Sequence, residues 1–78
     1  MISDIAIRFG NAIRVIRCRE GISQEELADR CELHRTYVSD VELGKRNISL
    51  KNIERLSDAL NVSLVELFEE VRKNESIY

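Results

Sequence analysis

The stretch from Ser23 to Glu42 places two short amphipathic segments so close together that they can only be two helices meeting at a tight turn. Gln24-Glu25-Glu26-Leu27-Ala28 opens the first, with Ser23 set to accept backbone N–H bonds as its N-cap and Glu26, three residues on, to complete a capping box. Arg35-Thr36-Tyr37-Val38-Ser39-Asp40-Val41-Glu42 makes the second, and only Glu32, Leu33 and His34 lie between them. Leu27, Ala28, Cys31, Leu33, Val38 and Val41 can be buried together only if the helices cross steeply, with the small Ala28 at the closest approach. This is the pattern of a helix-turn-helix. Its second helix turns Arg35, Thr36, Tyr37, Ser39 and Asp40 outward, where such side chains can meet base edges in a major groove.

The rest of the chain supplies a scaffold for that pair. Ile5, Phe9, Ala12, Ile13 and Ile16 recur at helical spacing and predict a first helix over about Asp4 to Arg19, with Ser3 as N-cap and Gly21 as the left-handed residue that ends it. The crossed pair then occupies about Gln24–Cys31 and Arg35–Leu43, followed by a turn at Gly44-Lys45-Arg46-Asn47. Ser49 caps a fourth helix carrying Leu50, Ile53, Leu56, Ala59 and Leu60, which Asn61 ends. Ser63 caps a fifth, with Leu64, Val65, Leu67, Phe68 and Val71, and the tail is expected to fray from about Lys73. With 78 residues, no proline and no alternating β-branched runs, the chain reads as one all-α, five-helix domain over residues 1–78.

Composition excludes several classes. No stretch has the apolar length of a membrane span, and the N-terminus lacks a basic region followed by an apolar run and cleavage site, so the chain is expected in the cytoplasm with no membrane partner. Cys18 and Cys31 share no metal-ligand spacing, and the single histidine cannot complete a site with them. Cys31 reads as a small core residue and Cys18 as a partly buried thiol. His34 has no partner cysteine or serine at a suggestive spacing and serves better as a cap of the third helix or a phosphate neighbour than as a catalyst. No glycine-rich phosphate loop is present either. The expectation is a non-enzyme with no cofactor and no metal.

The net charge of −2 at first counts against a nucleic-acid partner, but its distribution matters more than the sum. Up to Asn47 eight basic residues balance eight acidic ones, whereas beyond it four face six. Arg14, Arg17, Arg35, Lys45 and Arg46 fall in or beside the two-helix unit, and Glu66, Glu69, Glu70 and Glu75 gather at the other end.

Arg35 stands at the N-terminal end of the second helix, where its planar fork can bond guanine O6 and N7 together. Thr36 offers a hydroxyl and a methyl, suited to a phosphate or a thymine methyl. Tyr37 can face outward or pack inward and brace the fold. Asp40 suits a cytosine amino group or repels a wrong approach. Arg46 and Lys45 follow the helix directly, while Ser39 and Asn47 serve equally as contacts or as turn formers.

The fifth helix carries more apolar residues than one inward stripe accommodates. Leu64, Leu67, Phe68 and Val71 share a face and Val65 broadens it, so a homodimer built mainly through this helix and the end of the fourth is expected, with Leu64, Leu67 and Phe68 at the interface.

Ile13-Arg14, Ile16-Arg17, Gly21-Ile22-Ser23-Gln24-Glu25-Glu26-Leu27-Ala28 and Val41-Glu42-Leu43-Gly44 together resemble the xenobiotic-response-element family of phage-repressor-like helix-turn-helix proteins, over about Phe9 to Glu70. A narrower likeness, through Arg35-Thr36-Tyr37-Val38-Ser39, Glu42 and Arg46-Asn47-Ile48-Ser49, is to the controller proteins of restriction–modification systems. The resemblance implies a lambda-repressor-like fold, recognition-helix contacts from Arg35, Thr36, Tyr37 and Ser39, and further DNA contacts from Arg46 and Asn47. It also implies a phosphate-binding, helix-bracing role for Gln24 and a partly buried ion pair between Arg17 and Glu42. One departure is Glu32 at the first turn residue, where the family often places Gly or Asn and φ is positive; a residue with a side chain there costs about 1 kcal/mol.

The function these readings imply is a sequence-specific transcriptional regulator whose partner is double-stranded operator DNA. By resemblance it binds as a homodimer, with two dimers on paired sites, activating its own operon and then repressing it. Activation requires contact with RNA polymerase, for which Glu25, Glu26 and Asp29 on the outer face of the first short helix are candidates. With no sensor domain expected, control would arise from concentration and dimerisation. The alternatives are an antitoxin or phage-type repressor, and an interaction module of the same fold that has lost DNA binding.

Overall fold

The computed structural model describes residues 4–73 and contains helices α1 (Asp4–Glu20), α2 (Gln24–Cys31), α3 (Arg35–Glu42), α4 (Leu50–Ala59) and α5 (Leu64–Lys73). The expected five-helix, all-α order is therefore observed. The proposed N-cap at Ser3 and the tail beyond Lys73 lie outside the described residues. No helix among the described residues is long and apolar enough to cross a membrane.

Serine starts three of these helices. The Glu26 backbone N–H donates to Ser23 Oγ at 3.0 Å, that of Asn52 to Ser49 Oγ at 3.2 Å and that of Glu66 to Ser63 Oγ at 3.0 Å. Each such cap contributes about 1 kcal/mol. The reciprocal half of a capping box forms at Ser63, whose N–H donates to Glu66 Oε1 at 2.9 Å. At Ser23 the expected box is only half made, because the Glu26 carboxylate accepts instead from Arg30 Nε at 3.1 Å, one helical turn on. His34 occupies the N-cap position of α3 but makes no side-chain cap bond.

The helix ends repeat one device. Gly21, Glu32, Gly44 and Asn61 all adopt positive φ, near 60–75°. After each, the chain closes with two bonds, such as Glu32 N to Asp29 O at 3.2 Å and Leu33 N to Ala28 O at 2.9 Å. This is the Schellman arrangement, and in three cases the next residue (Ile22, Leu33 or Val62) packs against the core, as that motif favours. Glu32 therefore does occupy the strained position anticipated for it.

α1 packs against α3 and α5, α2 against α3 and α4, and α4 against α5. Phe9, Ala12, Ile13, Ile16, Leu27, Ala28, Cys31, Val38, Val41, Leu56, Leu60, Leu67 and Val71 form one hydrophobic core, aliphatic but for Phe9 and the Cys31 thiol. Four expectations need correction. Leu67, assigned to a dimer interface, is completely buried inside the protomer, so its side chain belongs to the core. Cys18 is exposed rather than partly buried. Ile5 and Leu50 follow the helical spacing yet remain 48% and 82% exposed. Each sits in the first turn of its helix, where side chains lean toward the N-terminus and past the end of the packed layer.

Gly10, in the middle of α1, sets how closely that helix meets α3. A Cβ there would lie 2.7 Å from the Glu42 carbonyl oxygen and closer still to that of Val41. The C-terminal turn of α3 therefore rests directly on the backbone of α1. This contact places the recognition helix.

Candidate nucleic-acid interface

α3 is held along one side and free along the other. Val38 and Val41 are buried, and Glu42, at the C-terminal end, is 7% exposed. Arg17 reaches the Glu42 carboxylate side-on, Nε to Oε2 at 2.6 Å and Nη2 to Oε1 at 3.1 Å, while its Nη1 donates to the Ile22 carbonyl at 2.9 Å. Gln24, the first residue of α2, donates its Nε2 to the same Glu42 Oε1 at 3.0 Å. The carboxylate's hydrogen bonds hold the Arg17 guanidinium pKa above its ordinary value, against the opposing effect of burial. One buried acid thus joins α1, the start of α2 and the end of α3. The expected Arg17–Glu42 pair is present, and Gln24 braces α3 through that pair.

On the free side, Arg35 and Thr36 are exposed, Ser39 and Asp40 half-buried. Lys45, Arg46 and Asn47 are exposed on the turn that follows α3. The structure brings Arg46 back over α3. Its guanidinium carbon lies 4.9 Å from the Tyr37 ring centroid, a cation–π distance, and its Nε is 3.5 Å from Asp40 Oδ2. Asp40 therefore has a cationic partner within the protein.

Of the two orientations anticipated for Tyr37, the structure shows the inward one, which braces the fold. Its ring is packed partly against the core, while its hydroxyl accepts from Asn52 Nδ2 of α4 at 3.0 Å. Asn52 and Gly10 are the positioning residues that reading the sequence missed. Gly10 carried a signal: a mid-helix glycine costs about 1 kcal/mol relative to Ala, so its presence implies a close backbone approach. Asn52 carried none, since an Asn in a helix's first turn is ordinary.

Beside this face, Ile5 and Phe68 border a cleft of about 160 Å³ together with Phe9, Ile48 and Ile53, and Arg46 and Asn47 form its polar edge. Phe68 tilts against Phe9 with ring centroids 6.0 Å apart, leaving Phe68 and Leu64 each 41% exposed and Val65 73% exposed.

Residues 13–67 match the helix-turn-helix family. The chain is 49% identical to control protein C.BamHI of Bacillus amyloliquefaciens, over 88% of this chain and 86% of that protein. It is 46% identical to control protein C.MunI of Mycoplasma sp, over 91% and 97%. Among solved structures, it is similar to the restriction-modification controller protein C.AhdI from Aeromonas hydrophila. That match has a TM-score of 0.79 and 46% identity, and covers 81% of this chain and 96% of that one. The five helices and their caps are thus those of a lambda-repressor-like domain, and the chain belongs to the helix-turn-helix family, among the restriction–modification control proteins.

Proposed function

We propose that this protein binds double-stranded operator DNA as a homodimer and regulates transcription of restriction–modification genes. The observation that carries this reading is the division of α3. Its inner side is fixed by Val38, Val41 and the Arg17–Glu42–Gln24 network, while Arg35 and Thr36 are exposed on its free side, with no side-chain bond among the described residues. The likeness to named control proteins supports the same conclusion. Arg35 reads a base; Thr36, Tyr37 and Ser39 extend the contact along α3; Arg46 and Asn47 approach the backbone from the following turn. Gln24 keeps a second amide hydrogen for a phosphate at the N-terminus of α2, where the helix dipole also favours an anion.

The second subunit docks on Leu64, Val65 and Phe68 of α5 together with Ile5, all apolar and exposed. Leu60, at the end of α4, is fully buried and contributes nothing to that surface. Two-fold symmetry sets the recognition helices about 34 Å apart, one turn of DNA, on a palindromic pair of half-sites. Two such dimers on paired sites account for early activation and later repression in the cytoplasm, with Glu25, Glu26 and Asp29 offered to RNA polymerase. The test is a binding titration against a duplex recovered from a randomised pool and against its scrambled sequence. Preference for the recovered duplex is expected, and equal affinity for both favours an interaction module of the same fold.

A further inference from the structure

Resting on the DNA-binding reading above, we propose that Asn52 biases the hydrogen-bond polarity of Tyr37, so that α3 presents the phenol to a base chiefly as a donor. The Tyr37 hydroxyl accepts from Asn52 Nδ2 at 3.0 Å, and this is its hydrogen bond among the described residues. With the oxygen engaged as an acceptor, the group's own hydrogen remains to be given. Major-groove acceptors that can take it are purine N7, guanine O6 and thymine O4, whereas an adenine or cytosine amino group would have to compete with Asn52 for the oxygen's lone pairs.

Both residues are held in place. The Tyr37 ring is packed against the core and covered by Arg46, which Asp40 holds in turn. Asn52 sits in the first turn of α4, its backbone N–H bonded to Ser49 Oγ at 3.2 Å and its side chain half-buried. The phenol cannot swing away without losing the Asn52 bond and the Arg46 contact together. Asn52 is thus a positioning residue that acts through Tyr37 and never touches DNA itself.

Asn52→Asp isolates this role. It preserves size, and a carboxylate is favoured in the first turn of a helix, so the fold is retained. An ionised carboxylate only accepts, so the phenol must turn its hydrogen inward and face the groove with lone pairs. The added negative charge weakens binding to every duplex alike, so the readout is a ratio: affinity for a duplex recovered by the wild-type protein from a randomised pool, divided by affinity for each of its single-base-pair variants. Tyr37→Phe, Asn52→Asp and the double variant are measured in parallel, with circular dichroism to confirm folding. The expected result is that Tyr37→Phe and Asn52→Asp each lower the ratio by about fivefold or more at the same base pair, and that the double variant shows no further drop. An unchanged ratio for either single variant, a uniform loss across all duplexes, or multiplicative losses in the double variant overturns the proposal while leaving the DNA-binding reading intact. A wild-type protein with no sequence preference overturns both.

Discussion

Arg17 and Glu42 meet side-on, through two hydrogen bonds of 2.6 and 3.1 Å, where the C-terminal turn of α3 lies against α1. Their side chains are only 14% and 4% exposed, so water is a limited alternative partner for Arg17 and scarcely one for Glu42. Removing one leaves the other buried and uncompensated. Glu42→Ala is expected to lower the unfolding free energy by about 3–5 kcal/mol, measured by urea denaturation. A loss of a few tenths would show that the pair is solvated in solution.

The exposed and buried residues of α5 separate by measurement. Phe68→Glu should shift the protein toward monomer in sedimentation at tens of micromolar and weaken operator binding, with the protomer still folded. Leu67→Ala, inside the core, should instead destabilise the protomer by about 2–5 kcal/mol. A wild-type protein that sediments as a monomer at these concentrations contradicts the dimer.

Glu32 is held at φ 59°, a conformation that costs a side-chain-bearing residue about 1 kcal/mol. Glu32→Gly is expected to raise the melting temperature by about 4–8 °C, read by circular dichroism. A decrease would mean that the Glu32 side chain contributes more than its backbone strain costs.

The two thiols should behave oppositely. Cys18 is exposed, whereas burial pushes the Cys31 thiol above its ordinary pKa. A thiol reagent is expected to label Cys18 in the native protein and Cys31 only on unfolding. Because the folded pKa of Cys31 is the higher one, its contribution to stability is complete below the unfolded thiol's value of about 8.5 and is lost as pH rises through the folded value. A decline in unfolding free energy above that pH, absent from Cys31→Ala, is the expected signature.

Much of this architecture is legible from local chemistry. Ser23, Ser49 and Ser63 mark helix starts because a hydroxyl satisfies a first-turn N–H, and Gly21 and Asn61 mark ends because they tolerate positive φ. The Arg17–Glu42 pair came from resemblance, and the geometry explains it. Periodicity failed where a helix face is shared between neighbours. On α5 it grouped Leu67 with Phe68, yet Leu67 points fully into the core while Phe68 stands at its rim against Phe9. Cys18 failed for a similar reason, because a helix pattern does not show where its covering neighbour stops. The contacts of Tyr37 with Asn52 and Arg46 join residues 15 and nine positions apart across a turn, and no spacing rule reports such pairs.

Base reading by Arg35, with Arg46 serving the backbone, is the centre of the account, and one titration series tests it most directly. Wild type, Arg35→Ala and Arg46→Ala are measured against the preferred duplex and its scrambled sequence at several salt concentrations. Arg35→Ala should cost about 1–3 kcal/mol per half-site on the preferred duplex alone and relax selection at one base pair. Arg46→Ala should weaken both duplexes and reduce the salt slope by about one unit. If Arg35→Ala lowers affinity equally for both duplexes, Arg35 does not read a base, and the role assigned to the exposed end of α3 is wrong.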